Sequence, residues 1–195
     1  MKISFSKAIN KALVEEMRKN KNLICFGLGV NDSLRFFGTT QGLLEKFGDK
    51  RVFEPPTSEN AMTGIGIGMS LYKNPCIMMH QRFDFFLLAM DQLINNAAKW
   101  HYTYGGQKNV PITIRLIVGK GWGQGPTHSQ SLQSWFAHIP GLKVVMPALP
   151  MDAYELLKKS INDPNPVLFI EHRWLHNVEE KYKKKMNKIA IGKSE

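Results

Sequence analysis

The stretch Ile112-Thr113-Ile114-Arg115-Leu116-Ile117-Val118, running directly into Gly119-Lys120-Gly121-Trp122-Gly123-Gln124-Gly125, decides the class of fold. Five of the seven residues from Ile112 to Val118 are apolar and close on Leu116-Ile117-Val118, which reads as a strand. Almost all the strand-like segments of the chain are continuous apolar runs, so both of their faces are covered, as in a parallel sheet clothed by helices. Four glycines at alternate positions then mark a loop that must bend or come close to something.

The segments on either side repeat that grammar. Phe5, Ala8, Ile9, Ala12, Leu13 and Met17 fall at helical spacing, with Ser4 or Ser6 placed to cap the helix. Short strands are expected at 22–26, 51–53, 75–80, 142–146 and 167–171, and helices around 42–47, from Ser58 onward, over 85–102 and over 151–161. In the helix from Ser58, the glycines at 64, 66 and 68 permit close packing despite their propensity cost. Strand and helix alternate throughout, which predicts a three-layer, doubly wound α/β fold with a mostly parallel sheet. Ligands of such sheets gather at the carboxyl ends of the strands.

A chain of 195 residues with 43% hydrophobic content suits one well-buried domain. No apolar run reaches the length of about 20 residues that a membrane helix needs. The N-terminus lacks a signal-peptide pattern, so a reducing cytoplasm is expected, with Cys25 and Cys76 as buried thiols. The net charge is +10, but residues 180–195 hold six lysines against two glutamates and so carry +4 of it. That cluster reads as a solvated basic tail, without the aromatic interleaving of a base-stacking surface, and nucleic acid is not the expected partner.

Three stretches carry candidate chemistry. Glu59, in Pro55-Pro56-Thr57-Ser58-Glu59-Asn60, lies where an acid is expected simply to complement a helix dipole. Its position between a proline-stopped strand and an apolar helix also suggests poor solvation, a raised pKa and a proton shared with a ligand's ring nitrogen. Gln81-Arg82-Phe83-Asp84-Phe85-Phe86 holds three phenylalanines that are ordinarily core, although one exposed ring there could stack on a flat heterocycle. His128, at the end of the glycine-rich loop, suits either capping and packing or chemistry. That loop is neither a Walker A loop nor a dinucleotide fingerprint. The cysteines lack metal spacing, His80, His101, His128, His138, His172 and His176 form no HExxH-like pair, and no nucleophile elbow surrounds Ser129 or Ser131.

Taken in order along the chain, Gly42-Leu43-Leu44-Glu45-Lys46-Phe47-Gly48, Pro56-Thr57-Ser58-Glu59, Ala89-Met90-Asp91-Gln92, Asn96-Ala97-Ala98-Lys99, Pro111-Ile112-Thr113-Ile114-Arg115, His128-Ser129-Gln130-Ser131 and Pro140-Gly141-Leu142-Lys143-Val144-Val145 resemble the beta subunit of the E1 component of 2-oxo acid dehydrogenases, the pyruvate and branched-chain type. The resemblance implies the pyrimidine domain of the thiamine-diphosphate-binding fold over residues 1–178. Residues 179–195 are then a basic tail, or the start of a linker to a C-terminal domain that is cut off or supplied by a split gene. It implies that Glu59 hydrogen-bonds N1′ of the aminopyrimidine and favours the tautomer that deprotonates the thiazolium. Phe85 stacks on the pyrimidine, Gln81 lines the same wall, and His128 meets the oxo acid or the lipoyl acceptor. A structural potassium ion is implied at Ile112, Ser160, Ile161, Asp163 and Asn165, partly through carbonyls.

The GDG…N motif that holds magnesium and the diphosphate is absent from the sequence. The resemblance therefore implies an alpha-type partner that supplies it, self-association into a heterotetramer, a 2-oxo acid substrate and a lipoyl acyltransferase acceptor. One departure stands out. Relatives carry Gly-Glu-Asp-Val-Gly after the first strand, and this chain has Gly27-Leu28-Gly29-Val30-Asn31. The lost glutamate belongs to the acidic passage that couples paired cofactors. Leu28 thus leaves open a split transketolase-like ketol transferase or a decarboxylase without a lipoyl acceptor, and a non-catalytic binding or regulatory module is a third reading.

Overall fold

A computed structural model describes residues 2–32, 34–182 and 190–192. In chain order the elements are β1 (Lys2–Ser4), α1 (Phe5–Lys19), β2 (Ile24–Gly27), α2 (Leu43–Phe47), β3 (Val52–Phe53), α3 (Glu59–Leu71), β4 (Cys76–His80), α4 (Phe83–Phe86), α5 (Ala98–Thr103), β5 (Ile112–Val118), α6 (Gln133–Ala137), β6 (Lys143–Val145), α7 (Pro150–Ile161), β7 (Val167–His172) and β8 (Glu179–Lys181). Six strands form one sheet in the order β3-β2-β4-β5-β7-β6, and every pairing is parallel. β1 and β8 make a separate antiparallel ribbon.

The side-chain period of two sorts β5 between two cores. Ile117 packs with α1, α2 and α7 on one side. Ile112, Ile114, Leu116 and Val118 pack with α3, α4 and α6 on the other. All seven residues of β5 are buried, which accounts for its largely apolar sequence, with Thr113 and Arg115 as the buried polar exceptions. The six apolar residues expected on the inner face of α1 are likewise buried, and Ser4 caps that helix by accepting the Lys7 amide N–H at 3.3 Å. α3 lies close to the sheet because Gly66 leaves no room for more: a Cβ there would come within 2.9 Å of Ile112 Cδ1.

The helix expected over 85–102 is broken into pieces. A short α-helical turn at Phe83–Phe86 gives way to 3-10 geometry at Leu87–Ala89 and to a π-helix at Gln92–Ala97 before α5 begins. Polar side chains bond one another along this stretch. Asp91 Oδ1 accepts from Asn95 Nδ2 at 2.8 Å, and Gln92 Oε1 accepts from Asn96 Nδ2 at 3.2 Å. Such side chains offer the chain alternatives to a uniform ladder, which apolar spacing alone does not reveal.

Cys25 and Cys76 are both buried free thiols. They stand on neighbouring strands, but Cys25 lies opposite Ile77 and Cys76 opposite Ile24, so they enter different cores. Burial pushes both thiols up to about 12. Of the basic segment 179–195, β8 pairs with β1, and Ile191 packs against the core beneath α7. Residues 183–189 and 193–195 lie outside the described residues. Among the described residues no helix is long and apolar enough to cross a membrane.

α1 and α7 are clasped at the surface by Glu15. Its Oε1 meets Lys11 Nζ at 2.7 Å, and its Oε2 accepts from Lys158 Nζ at 3.2 Å and from the Tyr154 hydroxyl. Burial works to raise the Glu15 pKa, but hydrogen bonds from Lys11, Tyr154 and Lys158 outweigh it and hold the carboxyl at about 2, below its ordinary 4.5. The unfolded chain takes up this proton first, so the clasp stabilises fully above pH 4.5 and its contribution is lost as pH falls toward 2. Thermal unfolding midpoints measured across that window should fall less steeply with acid in Glu15→Gln than in the parent. Equal slopes would show that the clasp does not report on stability.

Candidate active site

Because all six strands run the same way, the loops after β2, β3, β4, β5 and β7 emerge at one edge of the sheet. Glu59, Gln81, Phe85 and His128 all belong to that edge or to the helices that start from it. Glu59 is the first residue of α3. Its carboxylate has no hydrogen-bond or ion-pair partner among the described residues, and it is half-buried rather than enclosed. The poor solvation expected for it is therefore only partly present, because the start of α3 opens outward.

Phe85 and His128 come together from α4 and the loop after β5. Their ring centroids are 5.0 Å apart, with planes at 89°, so one ring presents its edge to the other. Phe85 remains 40% exposed, while Phe83 and Phe86, its neighbours in the sequence, are fully buried. The general preference of phenylalanine for the core thus holds for two rings of the three. Gln81 is tied down at 2.9 Å by Asp32 Oδ2 and crowds Gly29 so closely that a Cβ there would clash with its amide.

Several acids that anchor this edge had no distinguishing signal in the sequence. Asp84, buried and placed in sequence between the core ring of Phe83 and the exposed Phe85, accepts the Gln130 amide N–H at 3.0 Å and so fixes the chain just past His128. Glu54 Oε1 accepts the Gly29 amide N–H at 2.8 Å. A carboxylate therefore does reach the turn after β2, even though Leu28, where relatives carry glutamate, packs half-buried against the α3-side core. Each contact joins residues distant in sequence, and only the fold brings them together.

One of the four alternate glycines in the loop after β5 makes room for this chain's own ring: a Cβ on Gly119 would lie 2.7 Å from Trp122. A Cβ on Gly121 would make only ordinary contact with Trp174, at 3.4 Å, and that glycine serves the left-handed backbone at φ +93°. Gly123 and Gly125 face open space with left-handed backbone, φ +70° and +75°, and provide the bend.

The residues expected around potassium lie at the opposite edge. Ile112 begins β5, Ser160 and Ile161 end α7, and Asp163 and Asn165 lead into β7. Two of their side chains are committed: Asp163 binds Lys143 Nζ at 2.6 and 2.8 Å, and Ser160 Oγ donates to the Leu156 carbonyl at 2.8 Å. A cation held there would rest on carbonyl oxygens. A cavity of about 580 Å³ also opens on this side, lined by Lys99, Tyr102, Leu142 and Lys143 among others, and none of Glu59, Gln81, Phe85 and His128 lines it.

The family described as "Transketolase, pyrimidine binding domain" matches residues 1–178. The pyruvate dehydrogenase E1 component subunit beta of Rhizobium meliloti (strain 1021) is 41% identical over 169 residues, covering 87% of this chain and 37% of that protein. The 2-oxoisovalerate dehydrogenase subunit beta of Bacillus subtilis (strain 168) is 40% identical over 171 residues, covering 88% of this chain and 52% of its own length. The chain thus spans about half the length of the curated relatives it matches, or less. Among solved structures, a split gene transketolase described as an inactive beta4 tetramer superposes with a TM-score of 0.72 at 19% identity, covering 94% of this chain and 55% of that one. That likeness concerns the fold.

Behind the catalytic edge, at the last position of β4, His80 is 1% exposed and packs on Phe86 with ring centroids 4.8 Å apart. Neither ring nitrogen has a partner among the described residues. Burial alone pulls its pKa down from 6.5 to about 3. The unfolded chain therefore protonates first, and stability drains away as pH falls from 6.5 toward 3. His80→Phe should remove that loss and raise stability near neutrality by about 1 kcal/mol, since no buried polar nitrogen is then left unpaired. Urea unfolding at pH 5 and pH 8 measures both; a parent protein with equal stability at the two values would contradict the assignment.

Proposed function

The chain belongs to the transketolase pyrimidine-binding domain family, and from that premise we propose that it is the beta-type subunit of a thiamine-diphosphate-dependent 2-oxo acid dehydrogenase, with an active site shared with an alpha-type chain. The observation that carries this reading is the unpartnered Glu59 carboxylate at the start of α3, on the same sheet edge as the Phe85–His128 pair. The similarity to the beta subunits of pyruvate and 2-oxoisovalerate dehydrogenases supports the choice of reaction.

The residues fit half of the cofactor. Glu59 offers a free carboxylate to a ring nitrogen, and Phe85 offers an exposed ring to a flat heterocycle. The sequence contains no GDG…N, so magnesium and the diphosphate fall to the partner. When bound, thiamine diphosphate supplies the carbanion chemistry of decarboxylation. Glu59 holds and exchanges a proton at N1′ of the aminopyrimidine. Phe85 fixes the plane of that ring, Gln81 closes the wall beside it, and His128 exchanges a proton with the oxo acid or with the acyl acceptor. A lipoyl group on an acyltransferase is the acceptor in this reading. Potassium, if held, stays at the far edge and takes no part in these steps.

The outer side of α3 supports a partner. Ala61, Ile65 and Gly68 are exposed there beside Leu88, with Ile65 54% and Leu88 66% exposed, which gives an apolar patch on the helix that begins with Glu59. Two buried free thiols accord with a cytoplasmic setting.

Co-production with an alpha-type chain carrying GDG…N, followed by 2-oxo acid turnover with a lipoyl acceptor, tests the reading. Glu59→Gln in that complex should lower kcat by roughly 10²–10⁴-fold, the span of a positioned acid–base group. Undiminished turnover in this variant would remove Glu59 from the mechanism, and turnover of sugar phosphates in place of oxo acids would replace the reaction.

A further inference from the structure

Trp122, in the middle of the glycine-rich loop, donates its indole N–H to the backbone carbonyl of His128 at 3.1 Å. Its ring lies against the Arg82 guanidinium, 4.4 Å from ring centroid to Cζ. On another side it meets Trp174, with centroids 6.3 Å apart and planes 18° from parallel. Arg82 also donates Nη2 to Gln124 Oε1 at 2.9 Å, and Trp174 donates its indole N–H to the Lys120 carbonyl at 2.9 Å. Residues from the ends of β4, β5 and β7 are thereby clasped around one indole. Its single polar atom is spent on the residue that carries the imidazole.

Buried indoles find acceptors wherever they can, so the contact alone would be ordinary packing. Two further features give it direction. His128 closes a single 3-10 turn, Pro126–His128, and does not lie within a longer helix or strand. Arg82, moreover, keeps one guanidinium nitrogen, Nη1, buried without a partner among the described residues. That nitrogen adds nothing to the clasp, so the guanidinium's contribution rests on its stacking against Trp122 and its bond to Gln124. What the clasp achieves is a fixed backbone at His128, whose ring then meets Phe85 edge-on.

We propose that Trp122, clasped by Arg82 and Trp174, is a positioning residue for His128. It acts on the reaction through the histidine's backbone and does not touch the substrate. The inference rests on His128 facing the substrate, as in the function proposed above, but its structural half can be tested without that function.

Trp122→Phe keeps a ring for Arg82 and Trp174 and removes only the N–H donor. In the full chain, the imidazole Cε1–H resonances are followed by NMR across pH, with that of His128 identified by its loss in His128→Asn. The His128 resonance should move in Trp122→Phe, while those of His101 and His138 stay in place. In the complex with the alpha-type chain, kcat should fall roughly tenfold with KM for the oxo acid nearly unchanged, the signature of misplaced chemistry rather than lost binding. Trp122→Phe added to His128→Asn should cost nothing further. An unmoved His128 resonance overturns the proposal, as do multiplicative losses in the double variant. Should the parent complex turn over no oxo acid, the proposed function fails and the NMR result alone decides the positioning role.

Discussion

Arg115 and Glu171 face each other across β5 and β7 with both side chains fully buried, Nε to Oε1 at 2.6 Å. The guanidinium is used on several sides: Nη2 donates to Thr39 Oγ1 at 2.9 Å, Nη1 lies 3.6 Å from Met79 Sδ, and its plane covers the Phe36 ring at 4.9 Å. The second carboxylate oxygen of Glu171 meets His176 Nε2 at 3.1 Å. Burial alone would raise the Glu171 pKa, but Arg115 and His176 overcome it and keep the carboxyl below its ordinary value. An intact buried pair of this kind adds little net stability, because desolvation offsets its attraction. Loss of one partner strands a charge at a cost of about 3–5 kcal/mol. Its consequence here is that the chain around it must close in one particular way.

That closure is visible in the segment after β2. Arg35, Phe36 and Phe37 take left-handed backbone at φ 47°, 47° and 57°, a conformation that costs such side chains of order 1 kcal/mol or more each. The segment holds it because Phe36 is buried beneath Arg115, Thr39 is bonded to the same guanidinium, and Arg173 covers Phe37 at 4.6 Å. On the other side of Glu171, His176 stacks on Phe5, and its carbonyl accepts the Ser6 amide N–H at 3.1 Å, fixing the start of α1. Between these anchors lie Arg173 and Trp174, which brace the glycine-rich loop. The buried pair thus constrains the sheet edge that carries Glu59, Phe85 and His128 without belonging to it.

The sheet, its direction and both of its covering layers were legible in the sequence, because continuous apolar strands and one-faced helices leave a strong periodic signal. Glu59, Phe85 and His128 were legible only in combination. Glu59 alone is indistinguishable from a dipole-matching acid, Phe85 from two neighbours that turn inward, and His128 from a packing histidine. The left-handed segment 35–37 and the irregular helix over 83–103 were not legible, since tertiary contacts override local preference there. Trp122 stood in plain view among glycines that suggested a ligand. Gly119 in fact makes room for the Trp122 ring three residues further along the same loop, a close approach that residue spacing alone does not reveal.

The distribution of partners along the catalytic edge separates what the chain prepares from what it leaves open. Gln81 is held by Asp32, the backbone beyond His128 by Asp84, the carbonyl of His128 by Trp122, and the turn at Gly29 by Glu54. These side chains are oriented before any ligand arrives, so little ordering remains to be done on binding. Glu59 alone in this set has a carboxylate with nothing to bond. A half-buried acid at a helix start is stabilised by the helix dipole but retains unmet acceptor capacity, and a protonatable ring nitrogen would satisfy it. The framework is held by internal bonds at Gln81, Gly29 and the backbone around His128, and left unsatisfied at the Glu59 carboxylate. Glu59 is therefore defined as much by its missing internal partner as by its place at the start of α3.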